Sequence, residues 1–413
     1  MRTALTVITL AGLLLVAPAR AQGEKPPTKP GHGDPRHTVP NPARADAKKL
    51  APPISGAKLR ARAIETYRRG FAYLLETQNK DGSWGSHHPK LTNLKNFGFG
   101  TGNRGSQDAV RFGCTALVGK ALMRKKDRTP AENASYEKAA DVLVTKAKIP
   151  YQPGEAFNTW GYGFKLSFLV DYLKTDAGKK RAEAVRAAIR SCVVGLKRYQ
   201  LVDGGWNYYA GPLMGGTSMS FNTANFAADL HRASKLGVPV PKGLYEDPKK
   251  LLLRMRTRRG GFVYDARYLK SANAVNELSA GARTAACTEA LVELGALGKP
   301  EMMRSLELFN EGENWLEQGR KLIRPHSAVH QISGYFFFYG YYYLGEFSQK
   351  LGDAVPASRW ERTAWTMIRT QEKDGGWWDT PAADYGDKWG TAFALLCLQH
   401  YFDAVPENEG EQR

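Results

Sequence analysis

The chain has 413 residues, 42% of them hydrophobic and 24% charged, with a formal net charge of +19. That balance supports a substantial buried core and excludes a chain that is disordered throughout. The positive excess points towards anionic partners, and because no nucleic-acid-binding motif accompanies it, nucleic acid is not expected among them.

The first element is Met1–Ala21, where Arg2, an apolar run from Ala4 to Ala17 and the small-x-small triplet Ala19-Arg20-Ala21 read as a cleaved secretory signal. The run falls short of the roughly 20 apolar residues that span a bilayer. The expectation is therefore an exported protein, periplasmic or extracellular, with no transmembrane segment in the mature chain. Loss of Arg2 and Arg20 with the signal takes the net charge from +19 to +17. Residues 22–56 are rich in Pro, Lys, Gly and His and offer too few apolar groups to offset the entropy of ordering them, so they read as a linker. Residues 57–405 form the folded domain, and 406–413 a flexible tail.

Within the domain a short phrase recurs: QNKDGSW at Gln78–Trp84, QLVDGGW at Gln200–Trp206, QEKDGGW at Gln371–Trp377, and a degenerate RTRRGGF ending at Phe262. The intervals are 122, 56 and 115 residues, close to two, one and two units of one period, so two further copies should lie between them. Before a phrase comes an amphipathic helix, as where Val185, Ile189, Cys192, Leu196 and Tyr199 share one face. After it comes a helix that is apolar on most sides, as in GYFFFYGYYYLG from Gly334. Six of these second helices are predicted, starting near Arg111, Asn158, Ser218, Ser279, His326 and Lys388. In the phrase itself the glycines permit a tight turn and the tryptophan pins it, a structural role. Cys114, Cys192, Cys287 and Cys397 are too few and too dispersed for a disulfide framework and read as buried thiols.

This phrase, its period and its place between an outer and an inner helix resemble the repeat of squalene and oxidosqualene cyclases and of protein prenyltransferase β subunits. The resemblance covers roughly Ala57 to Phe402. It implies an all-α fold, an α/α toroid of about six helical hairpins in a closed ring. It does not extend to the chemistry of those families. Cyclases use D-x-D-D or D-D-x-x-D, and this sequence has no Asp-Asp pair. Prenyltransferases hold zinc through Asp, Cys and His on consecutive inner helices. Cys287 and His330 stand in comparable places here, but Ala285 replaces the Asp. Two plausible ligands are not a tetrahedral site. No cofactor and no bound metal are expected; Cys287 and His330 are the metal-ligand candidates.

In a toroid of this kind the starts of the inner helices surround the mouth of the ring, where the relatives bind their ligands. Arg283, His326, His330, Tyr264, Trp378 and Trp389 are therefore the ligand-binding candidates, for a lipid or isoprenoid or for an anionic polysaccharide. If the protein is an enzyme, either a divergent isoprenoid-processing enzyme or a lyase or hydrolase on anionic polysaccharide, then Arg283, His330 and Asp265 are the candidate catalytic residues. A cation to neutralise a carboxylate and a base beside it are what a lyase needs.

Overall fold

The computed structural model describes residues 50–85, 104–149, 158–208, 216–269, 279–321, 336–380 and 386–406. The proposed signal, most of the linker and nearly all of the tail lie outside these residues. Thirteen α-helices occur among the described residues: α1 Gly56–Glu76, α2 Arg104–Arg124, α3 Pro130–Asp141, α4 Thr159–Tyr172, the short α5 Asp176–Lys180, α6 Ala182–Tyr199, α7 Ser220–Lys235, α8 Gly243–Met255, α9 Gly281–Glu293, α10 Lys299–Gly319, α11 Phe336–Leu351, α12 Ala357–Thr370 and α13 Gly386–Ala404. There is no β-sheet among them, only isolated bridges between Met219 and Asp265 and between Arg256 and Phe262.

The helices sort into two layers. α1, α3, α6, α8, α10 and α12 lie outside; α6, for instance, buries Val185, Ala188, Ile189, Cys192, Leu196 and Tyr199 and leaves Arg190, Lys197 and Arg198 in solvent. α2, α4, α7, α9, α11 and α13 lie inside, and α4 and α13 are buried on nearly every side. Each inner helix packs on the next in the order α2, α4, α7, α9, α11, α13, and α13 packs back on α2. The ring is closed, with six hairpins. Close approach of inner helices depends on glycine at the crossings. A Cβ on Gly163 would fall 2.0 Å from the Phe226 ring, and one on Gly345 would fall 2.4 Å from His400.

The phrases are the joints of this ring, and three of them are built alike. Trp84, Trp206 and Trp377 each donate the indole N–H to the carbonyl ten residues earlier, on Leu74, Leu196 and Met367, at 2.8 Å. Each is fully buried. Their backbone N–H groups donate to Thr115, Thr223 and Thr391 on the following inner helix. The glutamines reach sideways: Gln78 donates to the Ser135 carbonyl of α3, Gln200 to Gly243 of α8, and Gln371 to Thr66 of α1. The last of these stitches the final hairpin to the first. Gly375, at φ +94°, takes a backbone conformation that side chains rarely adopt, against the Arg69 carbonyl of α1.

Four of the inner helices begin within two residues of, or a short distance before, the predicted starts near Asn158, Ser218, Ser279 and Lys388. The other two differ more. α2 begins at Arg104, seven residues before Arg111, and α11 is described only from Phe336, ten residues after His326.

Candidate functional site

The predicted mouth residues divide into those engaged in holding the ring and those outside the described set. Arg283, two residues into α9, is buried and donates its Nε to the Phe262 carbonyl at 2.8 Å. It thereby clamps the degenerate phrase to its inner helix, from the position just before Thr284, the counterpart of the threonines that serve the intact phrases. Cys287 lies one turn further on, and burial pushes its thiol pKa up to about 12. It is a neutral packing group. The Asp265 carboxylate is fully buried and accepts from Nε and Nη2 of Arg267 at 3.0 and 2.6 Å and from the Arg267 backbone at 2.8 Å. Tyr264 places its hydroxyl 3.0 Å from that of Tyr208. His326 and His330 lie outside the described residues, so the Arg283–His330 and Cys287–His330 pairings are not placed. Among the described residues no cluster of three His, Cys, Asp or Glu side chains is arranged to hold a metal ion.

Trp389, a ligand-binding candidate, lies inside the ring and is buried. It stacks on Trp160 at 4.6 Å with an 11° interplanar angle, reaching from α13 to α4 across the inner side of α2. Phe164 and Phe393 close edge-on around the pair. On the opposite side Phe221 of α7 meets Phe336 of α11 at 4.9 Å, and Tyr339 of α11 donates to Asn225 of α7 at 3.0 Å, bridging in front of α9. Trp160 donates to Asn222 at 2.6 Å, and Phe393 packs on Tyr339, which joins the two sides. Among the described residues a layer of aromatic side chains thus crosses the bore of the ring.

Further along the inner helices, near their C-terminal ends, the bore becomes ionic. Lys120 of α2 pairs with Asp171 of α4 at 3.1 Å and donates to Ser167 at 2.9 Å. Arg232 of α7 pairs with Asp229 at 3.1 Å and with Glu289 of α9, which also meets Lys350 of α11 at 3.0 Å. Arg124 of α2 and His400 of α13 converge on Glu346 of α11 at 2.8 and 3.1 Å. Burial disfavours the charged form of Lys120, but Asp171 and the neighbouring acids more than offset it and hold its pKa above the ordinary value. Asp229 goes the other way: burial pushes it up to about 6, with Arg232 and Lys120 only partly opposing. Lys120, Asn225, Asp229, Glu289, Tyr342 and Tyr343 are among the residues lining a chamber of about 240 Å³, counting the part open to solvent.

At the phrase end of the ring, one carboxyl stands apart. Asp379, directly after Trp378, is fully buried; its Oδ2 accepts from the Phe338 backbone at 3.3 Å, and its Oδ1 meets no donor from another of the described residues. Burial raises its pKa to about 7, with the Phe338 amide and the Arg320 charge opposing. Beside it Lys321, at φ +65°, donates its backbone N–H to the Asp379 carbonyl at 2.7 Å and sets its ammonium 3.9 Å from the centroid of the half-buried Trp378 ring. Lys321 also pairs with Glu372 at 2.5 Å. Sequence reasoning missed Asp379 and the ionic layer because burial of a carboxylate leaves no composition signal; Trp378, set immediately after a phrase, was the one clue to Asp379.

No protein-family model matches the chain, and no curated protein matches it. Solved structures do. A type II terpene cyclase from Scytonema, in complex with the product merosterolic acid A, superimposes with a TM-score of 0.51 at 14% identity, over 84% of this chain and 99% of that one. A possible member of the GH105 family from Klebsiella pneumoniae gives 0.52 at 11% identity over 92% and 99%. An α-amylase from Clostridium perfringens gives 0.50 at 11% over 81% and 98%. At these identities the similarity shows a shared fold, the α/α toroid of terpene cyclases and glycosidases, and nothing of activity. No helix among the described residues is long and apolar enough to cross a membrane.

Proposed function

We propose that this chain is an exported toroid that binds an anionic polysaccharide on the phrase face of the ring. The observation that carries this reading is the Trp160–Trp389 stack. A lipid taken into the bore, as in a cyclase, would have to displace that stack and the aromatic layer around it, whereas a polymer lying across the face leaves that layer in place. The chain's positive charge attracts such a polymer, and the half-buried Trp378 ring with the Lys321 ammonium against it offers an aromatic surface next to a cation.

Titration of the purified chain with polygalacturonate at low and high salt tests this. Binding should weaken steeply with salt, and Trp378→Ala should weaken it further without lowering the melting temperature. Absence of binding at low salt defeats the proposal.

Asp379 supports a second reading, an enzyme acting on the same polymer. A buried carboxyl with a pKa near neutrality is suited to general acid or base work, and Arg320 and Lys321, which pair with Glu317 and Glu372, are the cations a uronate would have to recruit from those pairs. Chain cleavage of polygalacturonate that disappears in Asp379→Asn, with binding retained, is the expected result of that reading; unchanged polymer length after prolonged incubation removes it.

A further inference from the structure

The ionic chamber lies at the end of the inner helices remote from the phrases, and neither the fold nor the proposed binding face uses it. Its polar groups do not all satisfy one another. Tyr342 and Tyr343 are both at least nine-tenths buried and both line the chamber. Neither hydroxyl makes a hydrogen bond to any described residue, although their rings pack on one another at 4.8 Å and Tyr342 also lies under the Lys120 ammonium. Neither hydroxyl oxygen is sealed off, so where the protein supplies no partner, water or a ligand entering the chamber does. Asp229 presents the complementary deficit: one of its oxygens is used by Arg232, and burial is not fully balanced by the cations around it.

The chamber therefore offers donors and acceptors side by side: two phenols, an amide on Asn225, an ammonium on Lys120, and carboxylates on Asp229 and Glu289. Cations and anions in the surrounding layer pair off, so a charged ligand would leave one sign uncompensated in a poorly solvated place. A neutral group carrying both a donor and an acceptor does not. That is the chemistry of a hydroxyl. The enclosed part of the space admits about one water molecule. Arg124 and Lys350, which pair with the lining carboxylates Glu346 and Glu289, have side chains 34% and 35% exposed.

From this arrangement we infer that the chamber is a binding site for the hydroxyl-bearing end of a small neutral polyol or sugar, inserted between Asp229, Tyr342 and Tyr343 from the solvent side. The ligand's hydroxyl takes the place of the enclosed water, accepting from a tyrosine and donating to a carboxylate. The ligand's carbons stay on the solvent side, towards the part-exposed pairs Arg124–Glu346 and Lys350–Glu289.

Saturation-transfer NMR and calorimetry on the full chain decide it, with glycerol and glucose as probes and putrescine and inorganic phosphate as charged controls. Glycerol or glucose should bind, putrescine and phosphate should not, and Tyr343→Phe, which deletes one hydroxyl and keeps the ring, should weaken binding about tenfold with the melting temperature unchanged. Tyr342→Phe should do the same, which guards against one variant failing to fold. The inference is overturned if neither polyol binds the wild-type chain, if both variants bind as well as wild type, or if a charged control binds more tightly. None of these outcomes depends on polysaccharide binding at the phrase face, which is tested by a different ligand and at a different end of the ring.

Discussion

Single residues hold the ring at its joints, and their roles are repeated often enough to be tested at several sites. Trp206 and Trp377 fill the space between an outer and an inner helix and satisfy a helix-end carbonyl at the same time. Replacing either with alanine should cost about 3–5 kcal/mol by chemical denaturation. The threonine that receives the tryptophan backbone N–H is a finer test. Thr391→Val keeps the shape and leaves the buried Trp377 N–H unmet, a loss on the order of 1–3 kcal/mol. The tryptophans were legible in the sequence because they recur in the phrase. The threonines were not, although Thr-Ala recurs at Thr115, Thr223, Thr284 and Thr391, because their partners are far along the chain.

Two carboxyls give the molecule a measurable pH response. Asp229 and Asp379 have folded-state pKa values of about 6 and about 7, above the ordinary 3.8, so each binds its proton more tightly in the folded state. Stability should therefore fall as pH rises from about 4 to about 7 and level off above that. Glu313 and Glu346 act oppositely. They are held below the ordinary value by Arg359 and by Arg124 despite their burial, and their contribution is lost as pH falls through the acid range. Thermal melts across pH should show a maximum on the acid side of neutrality, and Asp379→Asn should flatten the decline between it and pH 8. A melting temperature that rises steadily from pH 5 to pH 8 is incompatible with these assignments.

Among the elements, the outer helices differ from the inner ones in how readily they could be read. α6 and α12 carry a clear apolar stripe, and α12 lays Trp360, Ala364 and Met367 on one face. α4 and α11 are buried all round and were recognised as enclosed helices on that ground. What periodicity could not reveal is which charged residues of these helices turn inward. Glu313 of α10 is an example: it is buried, pairs with Arg359 at 3.0 Å and Arg362 at 2.5 Å of α12, and accepts from the Tyr341 hydroxyl of α11 at 2.5 Å. Three elements meet at one carboxylate. Glu313→Gln strands two guanidinium groups and should cost about 3–5 kcal/mol in urea denaturation. The exposed pair Lys126–Asp403, at 80% and 48% exposure, should be worth under about 1 kcal/mol in a double-mutant cycle.

For the molecule as a whole, the number of hairpins and the closure of the ring followed from the spacing of four phrases, because a repeat that buries its face only on its neighbours fixes both. The contents of the ring did not follow. The aromatics at the inner-helix starts suggest a lined pocket when read along the chain. In space Trp160 and Trp389 come from helices more than 200 residues apart and spend their faces on each other. The same distance effect hides the ionic layer, whose partners are drawn from all six inner helices. Among the candidates chosen by position alone, Arg283 donates its Nε to the Phe262 carbonyl and Asp265 accepts from Arg267.

The claim on which the functional reading turns is that the aromatic layer obstructs the bore. Titration of the chain with geranylgeraniol, followed by near-UV circular dichroism and tryptophan fluorescence, addresses it directly because Trp160 and Trp389 form the obstruction. Wild-type protein should show no saturable change, and the Trp160→Ala variant, in which the stack is lost, should be the one that admits the hydrocarbon. Saturable binding to wild type, with the signal arising from Trp160 and Trp389, would show that the aromatic layer is a pocket lining that opens for a lipid and would contradict the account.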